Sequence, residues 1–316
     1  MATPTLAKPI YPGADWDVDR PDSHGLDAAS LDRAAREIAT VEERYGFLVI
    51  KDGVVVHETY YHGDAASQWQ VFSITKAFGA ALTGIAATRG WLSVKDRVTD
   101  WLPYHAPEIA DGATIEHILS MTAAHDPVGE TYEYTSGPVL NTLPNILWEA
   151  SGMPPRDFYQ HCLAEPLGLT LTWPSTDRGW MQIGNRGPMP VLTATHRDVA
   201  RIGWLWLNGG RWGDQQLVDT EFVSASVTPP FPAANNAYGY LWWLNKPDGT
   251  WKTAGGETGQ GAWFPDAPED MFVGIGARGK LMFVLPSENM VVVSMGETQT
   301  SGVHAIWSAI RSMLEA

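Results

Sequence analysis

A chain of 316 residues, 44% hydrophobic and 18% charged, is long enough to bury a sizeable core and has the makeup of an ordinary globular protein. Its 36 acidic against 21 basic side chains leave a net charge of −15, which repels phosphate backbones and anionic lipid, so neither nucleic acid nor a membrane surface is an expected partner. The one cysteine, Cys162, excludes an intrachain disulfide and, lying in the apolar stretch Phe158–Leu163, reads as a buried inert thiol.

Residues 1–25, rich in Pro, Asp and Gly, predict an extended lead-in. The opening Met1-Ala2-Thr3-Pro4 lacks a basic stretch followed by an apolar run, and the expectation is a cytoplasmic protein. Helical spacing begins near Leu26. Two β-like runs follow, Gly46–Ile50 and Val54–Tyr60, joined by Lys51-Asp52-Gly53, whose Asp-Gly is a hairpin signal. From Ile74 to Arg89 the pattern is helical, and Gly90 suits the residue just past its end. Residues 92–230 read as helices and long loops. Strand-like runs return at Tyr238–Leu244, Met271–Ile275, Lys280–Leu285 and Met290–Met295, before a final helix over Val303–Leu314. Strands at both ends around a helical middle predict an α+β fold with one antiparallel sheet built from the two terminal segments. The expected division is a discontinuous sheet domain, residues 1–75 and 235–316, and a mostly helical domain, residues 76–234, with the active site between them.

The only Ser-x-x-Lys in the chain is Ser73-Ile74-Thr75-Lys76, placed where a helix begins. One helical turn separates the two side chains, so they can meet. The positive end of the helix disfavours an ammonium, which predicts a lowered lysine pKa, and its free N–H groups can hold an oxyanion at Ser73. Nucleophile, base and half an oxyanion hole thus come from one short segment; a plain helix cap with a solvated lysine is the bland alternative. Downstream, Tyr132-Glu133-Tyr134-Thr135-Ser136-Gly137 offers the Tyr134 phenol, which beside a lysine could be held partly ionised and relay a proton. Ser136 could hydrogen-bond Lys76 or a substrate carbonyl.

Ser73-Ile74-Thr75-Lys76 followed by Tyr134-Thr135-Ser136 resembles the first two motifs of the serine β-lactamase and penicillin-binding-protein superfamily. The closest branch is that of class C-like esterases and 6-aminohexanoate dimer hydrolases, and the similarity runs from Leu26 to the C-terminus. The resemblance implies a β-lactamase-like fold and a third motif on the strand beside the nucleophile. Lys252-Thr253-Ala254 looks like the Lys-Thr-Gly of β-lactamases but lies in a Gly-rich loop too far from the end. Phe272-Val273-Gly274-Ile275-Gly276-Ala277-Arg278-Gly279-Lys280 fits the position better. By this alignment a backbone N–H at Ala277, or one up to about three residues back toward Gly274, completes the oxyanion hole, and Gly276 borders the substrate. Without the Lys-Thr-Gly cation a dedicated β-lactamase is not expected.

Competing signatures fail. Gly274–Gly279 spells G-x-G-x-x-G, but a strand rather than a helix follows it. No Gly-x-Ser-x-Gly and no His-Glu-x-x-His occur, and the nine histidines lack metal spacing, so no metal or organic cofactor is implied. His125 could border the site. Fifteen tryptophans are many, and the family fold would bring Trp69, Trp242, Trp243, Trp251 and Trp263 toward it, with Trp243 offering an aromatic substrate wall. The expectation is a serine hydrolase that cleaves small carboxylic esters, or short amides, through an acyl-enzyme on Ser73, with Lys76 and Tyr134 moving the proton. An acyltransferase, amidase or D-peptidase would use the same residues. A non-catalytic binding protein that retains the fold is the rival of another class.

Overall fold

The structure is a computed structural model that describes residues 10–103, 108–134, 139–171, 192–298 and 302–315. Helix α1, Ala28–Ile38, starts where the Asp27 carboxylate accepts the Ser30 amide, and its apolar side is buried. Strands β1, Glu43–Lys51, and β2, Val54–Tyr60, form the anticipated hairpin. Asp52 and Gly53 close it, both in the left-handed region, with φ 53° and 91°. Helix α2, Thr75–Thr88, is buried without a break from Thr75 to Ala86. Its small residues permit this. A Cβ on Gly84 would stand 2.6 Å from a Val218 methyl. Helix α3 spans His196–Leu207.

The second half of the sheet comes from the far end of the chain: β3, Trp243–Leu244; β4, Phe272–Gly276; β5, Lys280–Leu285; β6, Met290–Glu297. Helix α4, Val303–Leu314, closes the fold. The order across the sheet is β2-β1-β6-β5-β4-β3, antiparallel throughout, so the two terminal segments meet where β1 pairs with β6, Leu48 opposite Val293. Both faces are covered. Gly203 of α3 packs on Val291, Met282 and Val284 on one side, while Phe283 meets Trp307 of α4 on the other. Burial on two faces explains why Lys280–Leu285 is almost unbroken apolar sequence rather than an alternation.

One expected strand is shorter than its sequence suggests. Of Tyr238–Leu244 only Trp243–Leu244 is extended in the sheet. Tyr238 folds back to bridge Trp243, the turn between them placing Leu241 at φ 64° and its amide on the Leu119 carbonyl. Among the described residues no helix is long and apolar enough to cross a membrane. Cys162 is buried, its sulfur accepting a hydrogen bond from Arg89 at 3.0 Å.

Candidate active site

Ser73 sits in a single 3₁₀ turn, Phe72–Ile74, that leads directly into α2. Lys76, in the first turn of that helix, is 1% exposed, and its Nζ donates to Ser73 Oγ at 3.0 Å. No carboxylate among the described residues pairs with it. Burial alone lowers its pKa to about 7. This is the direction anticipated from the sequence, but desolvation rather than the helix terminus is the cause. At neutral pH a large fraction of this amine is therefore unprotonated and can accept a proton from the hydroxyl it touches.

Tyr134 completes the cluster. Lys76 Nζ lies 4.5 Å from the centroid of its ring, and its hydroxyl is a hydrogen-bond partner of Ser73. Its ring stacks on Trp243 at 5.4 Å and meets Tyr238 edge-on at 6.0 Å. Enclosure by these rings pushes the phenol up to about 12. The partly ionised tyrosine anticipated from the sequence is thus corrected to a neutral phenol, because burial penalises the phenolate more than the Ser73 hydrogen bond favours it. Ser136 lies outside the described residues.

The opposite wall is the end of β4. Gly276 and the exposed Ala277 line the same cleft as Ser73. Gly276 is needed for the close approach, since a Cβ there would stand 2.3 Å from the Val71 carbonyl oxygen, just before the Ser73 turn. Gly276→Ala must therefore push β4 away from Ser73. The expected outcome is a loss of about 1–3 kcal/mol of stability with a lower Tm, measured by thermal melting. An unchanged Tm would show that the strand end moves without cost.

The cleft has a volume of about 490 Å³. Trp243, Trp263, Ile275 and Val303 give it an apolar lining, and Glu257, Arg278 and His304 bring charge or titratable nitrogen to it. Trp263 packs against Trp243 at 5.1 Å, forming an aromatic corner. Burial depresses the His304 pKa against the opposing pull of Glu257. The remaining tryptophans divide differently from expectation. Trp251 backs Trp263 at 6.3 Å without lining the cleft. Trp69 stacks on Tyr45 at 3.9 Å, and Trp242 is buried against Trp206 and Phe272, so neither lines the cleft. His125 is paired with Glu133 at 2.5 Å and is likewise not part of the lining.

Three contributions escaped the sequence. Thr250–Lys252 and Thr258–Gln260 form a small hairpin whose turn, Thr253-Ala254-Gly255, lines the cleft, although Lys252 itself donates to the Tyr132 carbonyl at 3.1 Å. The apparent decoy therefore belongs to the rim, with its threonine and not its lysine at the cleft. Its signal was the Gly-rich turn between aromatic residues. His304 enters from the start of α4, for which no local motif exists. Arg278, quoted in the third-motif segment without a role, also lines the cleft and is held by Glu297 at 2.5 Å. Among the described residues no cluster of His, Cys, Asp and Glu could hold a metal.

Against known proteins, the family model described as Beta-lactamase matches residues 33–310. No curated protein matches the sequence. Similar solved structures include a protein from Bacteroides dorei DSM 17855 named for beta-lactamase, at 18% identity, with a TM-score of 0.73 over 92% of this chain and 100% of that one. A Bacillus anthracis protein named for 6-aminohexanoate-dimer hydrolase is 16% identical, with a TM-score of 0.69 over 98% of this chain and 88% of that one. EstCE1, a hydrolase with promiscuous acyltransferase activity, is 15% identical, with a TM-score of 0.67 over 90% of this chain and 98% of that one. At these identities the likeness concerns the fold.

Proposed function

The chain belongs to the Beta-lactamase family, and from that footing we propose that it is a serine hydrolase that cleaves small carboxylic esters through an acyl-enzyme on Ser73. The observation that carries this reading is the buried Lys76 amine, without a carboxylate partner among the described residues, 3.0 Å from Ser73 Oγ at a cleft of about 490 Å³. Neutral Lys76 takes the Ser73 proton as Oγ attacks the ester carbonyl. The developing oxyanion is held by the Ser73 and Ala277 amides. The neutral Tyr134 phenol, already paired with Ser73, gives its proton to the departing alkoxide and regains one from the Lys76 ammonium. Water then attacks the acyl group by the same relay in reverse, returning Ser73 to its free hydroxyl.

The Trp243–Trp263 corner suits an apolar acyl or alcohol group, which supports esters of that kind as the first substrate class. Short amides come second, the class that the name of the Bacillus anthracis structure brings to mind. The test is treatment with a chromogenic organophosphonate, followed by peptide mass mapping and a panel of p-nitrophenyl esters, amides and D-amino-acid peptides. An adduct on Ser73 together with ester turnover is expected. Modification of another serine alone, or none with no turnover, would overturn the assignment.

β-Lactam turnover should be feeble beside ester turnover. Lys252 donates to the Tyr132 carbonyl and does not line the cleft, and Arg278, already paired with Glu297, stands there as an exposed guanidinium in place of the lysine of a Lys-Thr-Gly. A missing charge-assisted hydrogen bond is worth about 10- to 10²-fold. Penicillin hydrolysis as fast as that of the best ester would contradict this arrangement.

A further inference from the structure

Two residues beside the proposed oxyanion hole hold backbone conformations that side-chain-bearing residues rarely adopt. Phe72, immediately before Ser73, has φ 47°, and Arg278, immediately after Ala277, has φ 59°. Strain of this kind persists only where the surroundings impose it, and it concentrates where geometry matters to function. The surroundings here form one cluster. Lys280 Nζ lies 5.0 Å from the Phe72 ring centroid, and the Arg278 guanidinium carbon lies 5.9 Å from it. Both cations converge on the last residue of β6. Glu297 binds Arg278 at 2.5 Å through one carboxylate oxygen and Lys280 at 2.8 Å through the other, which also accepts the Tyr45 hydroxyl at 3.1 Å. The Lys280 side chain is 1% exposed, so Glu297 is its charge partner in a desolvated place.

We infer that Glu297 is a positioning residue, which through Lys280 and Arg278 clamps the left-handed backbones of Phe72 and Arg278 and so fixes the distance between the Ser73 and Ala277 amides. This rests on the reading of Ser73 as the acylated residue. Glu297 touches no reacting atom. It acts by holding two loops, one before the nucleophile and one at the β4–β5 turn, in a common frame. Preorganised amides stabilise the transition state more than the ground state, so the effect belongs in kcat rather than KM.

The test uses ester hydrolysis by the full chain together with phosphonate labelling. Glu297→Gln should lower kcat about 10- to 10²-fold, move KM less than about threefold, and leave the rising limb near pH 7 in place, because Lys76 lies outside the cluster. If that variant fails to fold, the exposed Arg278 supplies the second arm. Arg278→Gly adopts a positive φ without strain, whereas Arg278→Ala keeps the strain and loses the clamp, so the glycine variant should exceed the alanine variant in kcat by about tenfold. Wild-type kcat in Glu297→Gln, or equal losses in the two Arg278 variants carried by KM, would overturn the inference and make Arg278 a substrate contact. Should the wild-type protein itself take no phosphonate on Ser73, the hydrolase reading fails first and the positioning role with it.

Discussion

Ser73→Ala is expected to lose ester turnover by about 10⁴-fold or more while keeping its fold. The hydroxyl is the atom that both Lys76 and Tyr134 address, and among the described residues no other nucleophile shares those partners. Water placed in the vacated position would lack the covalent step that divides the reaction in two. The structural cost is small. The turn Phe72–Ile74 is closed by backbone contacts, Ile74 N to the Val71 carbonyl among them, and an alanine methyl fits wherever the serine side chain did. The comparison to make is kcat against Tm in the same preparation. A correctly folded variant with unchanged kcat would place the nucleophile elsewhere.

Lys76 carries the second large effect, and it can be read in two independent ways. Because burial holds its pKa at about 7, kcat/KM should rise with pH along a limb near 7 instead of near the ~10.4 of an exposed lysine. Lys76→Met should remove that limb and cost about 10²- to 10⁴-fold. Lys76→Arg should be as damaging, since a guanidinium keeps the charge but accepts no proton. Retention of most activity by the arginine variant would show that charge alone suffices. Stability gives the other reading. Between pH 7 and about 10 the unfolded chain holds a proton on Lys76 that the folded chain has released, so wild-type stability rises with pH through that window by up to about 1.4 kcal/mol per unit. Methionine abolishes this term. The variant should therefore melt above the wild type at pH 7, with the gap closing toward pH 10. A gap independent of pH would mean that the lysine is charged in the folded protein.

Much of this was legible in the sequence, for reasons that differ by element. The Asp52-Gly53 turn and the flanking β-branched runs specify β1 and β2 locally, and the Gly90 stop marks the end of α2. Ser73 and Lys76 could be paired because helical spacing alone brings them together. Tyr134 could be offered for its phenol but assigned to the site only through the family resemblance, since nothing local says that a loop phenol will be enclosed by Trp243 and Tyr238. The pairing of Leu48 with Val293 and the arrival of His304 and Glu257 at the cleft are tertiary facts without a local signature. Burial is of the same kind. It moved the cause of the Lys76 shift from the helix end to desolvation, and it reversed the expected ionisation of Tyr134.

The meeting of β1 with β6 also governs how the protein is made. A ribosome delivers the β1–β2 hairpin early, yet β6, the strand that pairs with the other edge of β1, is among the last to be made. Until β6 emerges, one edge of β1 stands without its partner, exposed to water and to other nascent chains. Closure across so long a loop is slow, because the entropy of joining distant segments is lost before their contacts form. Completion of the sheet beside Ser73 is thereby tied to the end of translation. Chains released before β6 should bear Ser73 in sequence but not in a reactive state, and they should be the ones that chaperones hold.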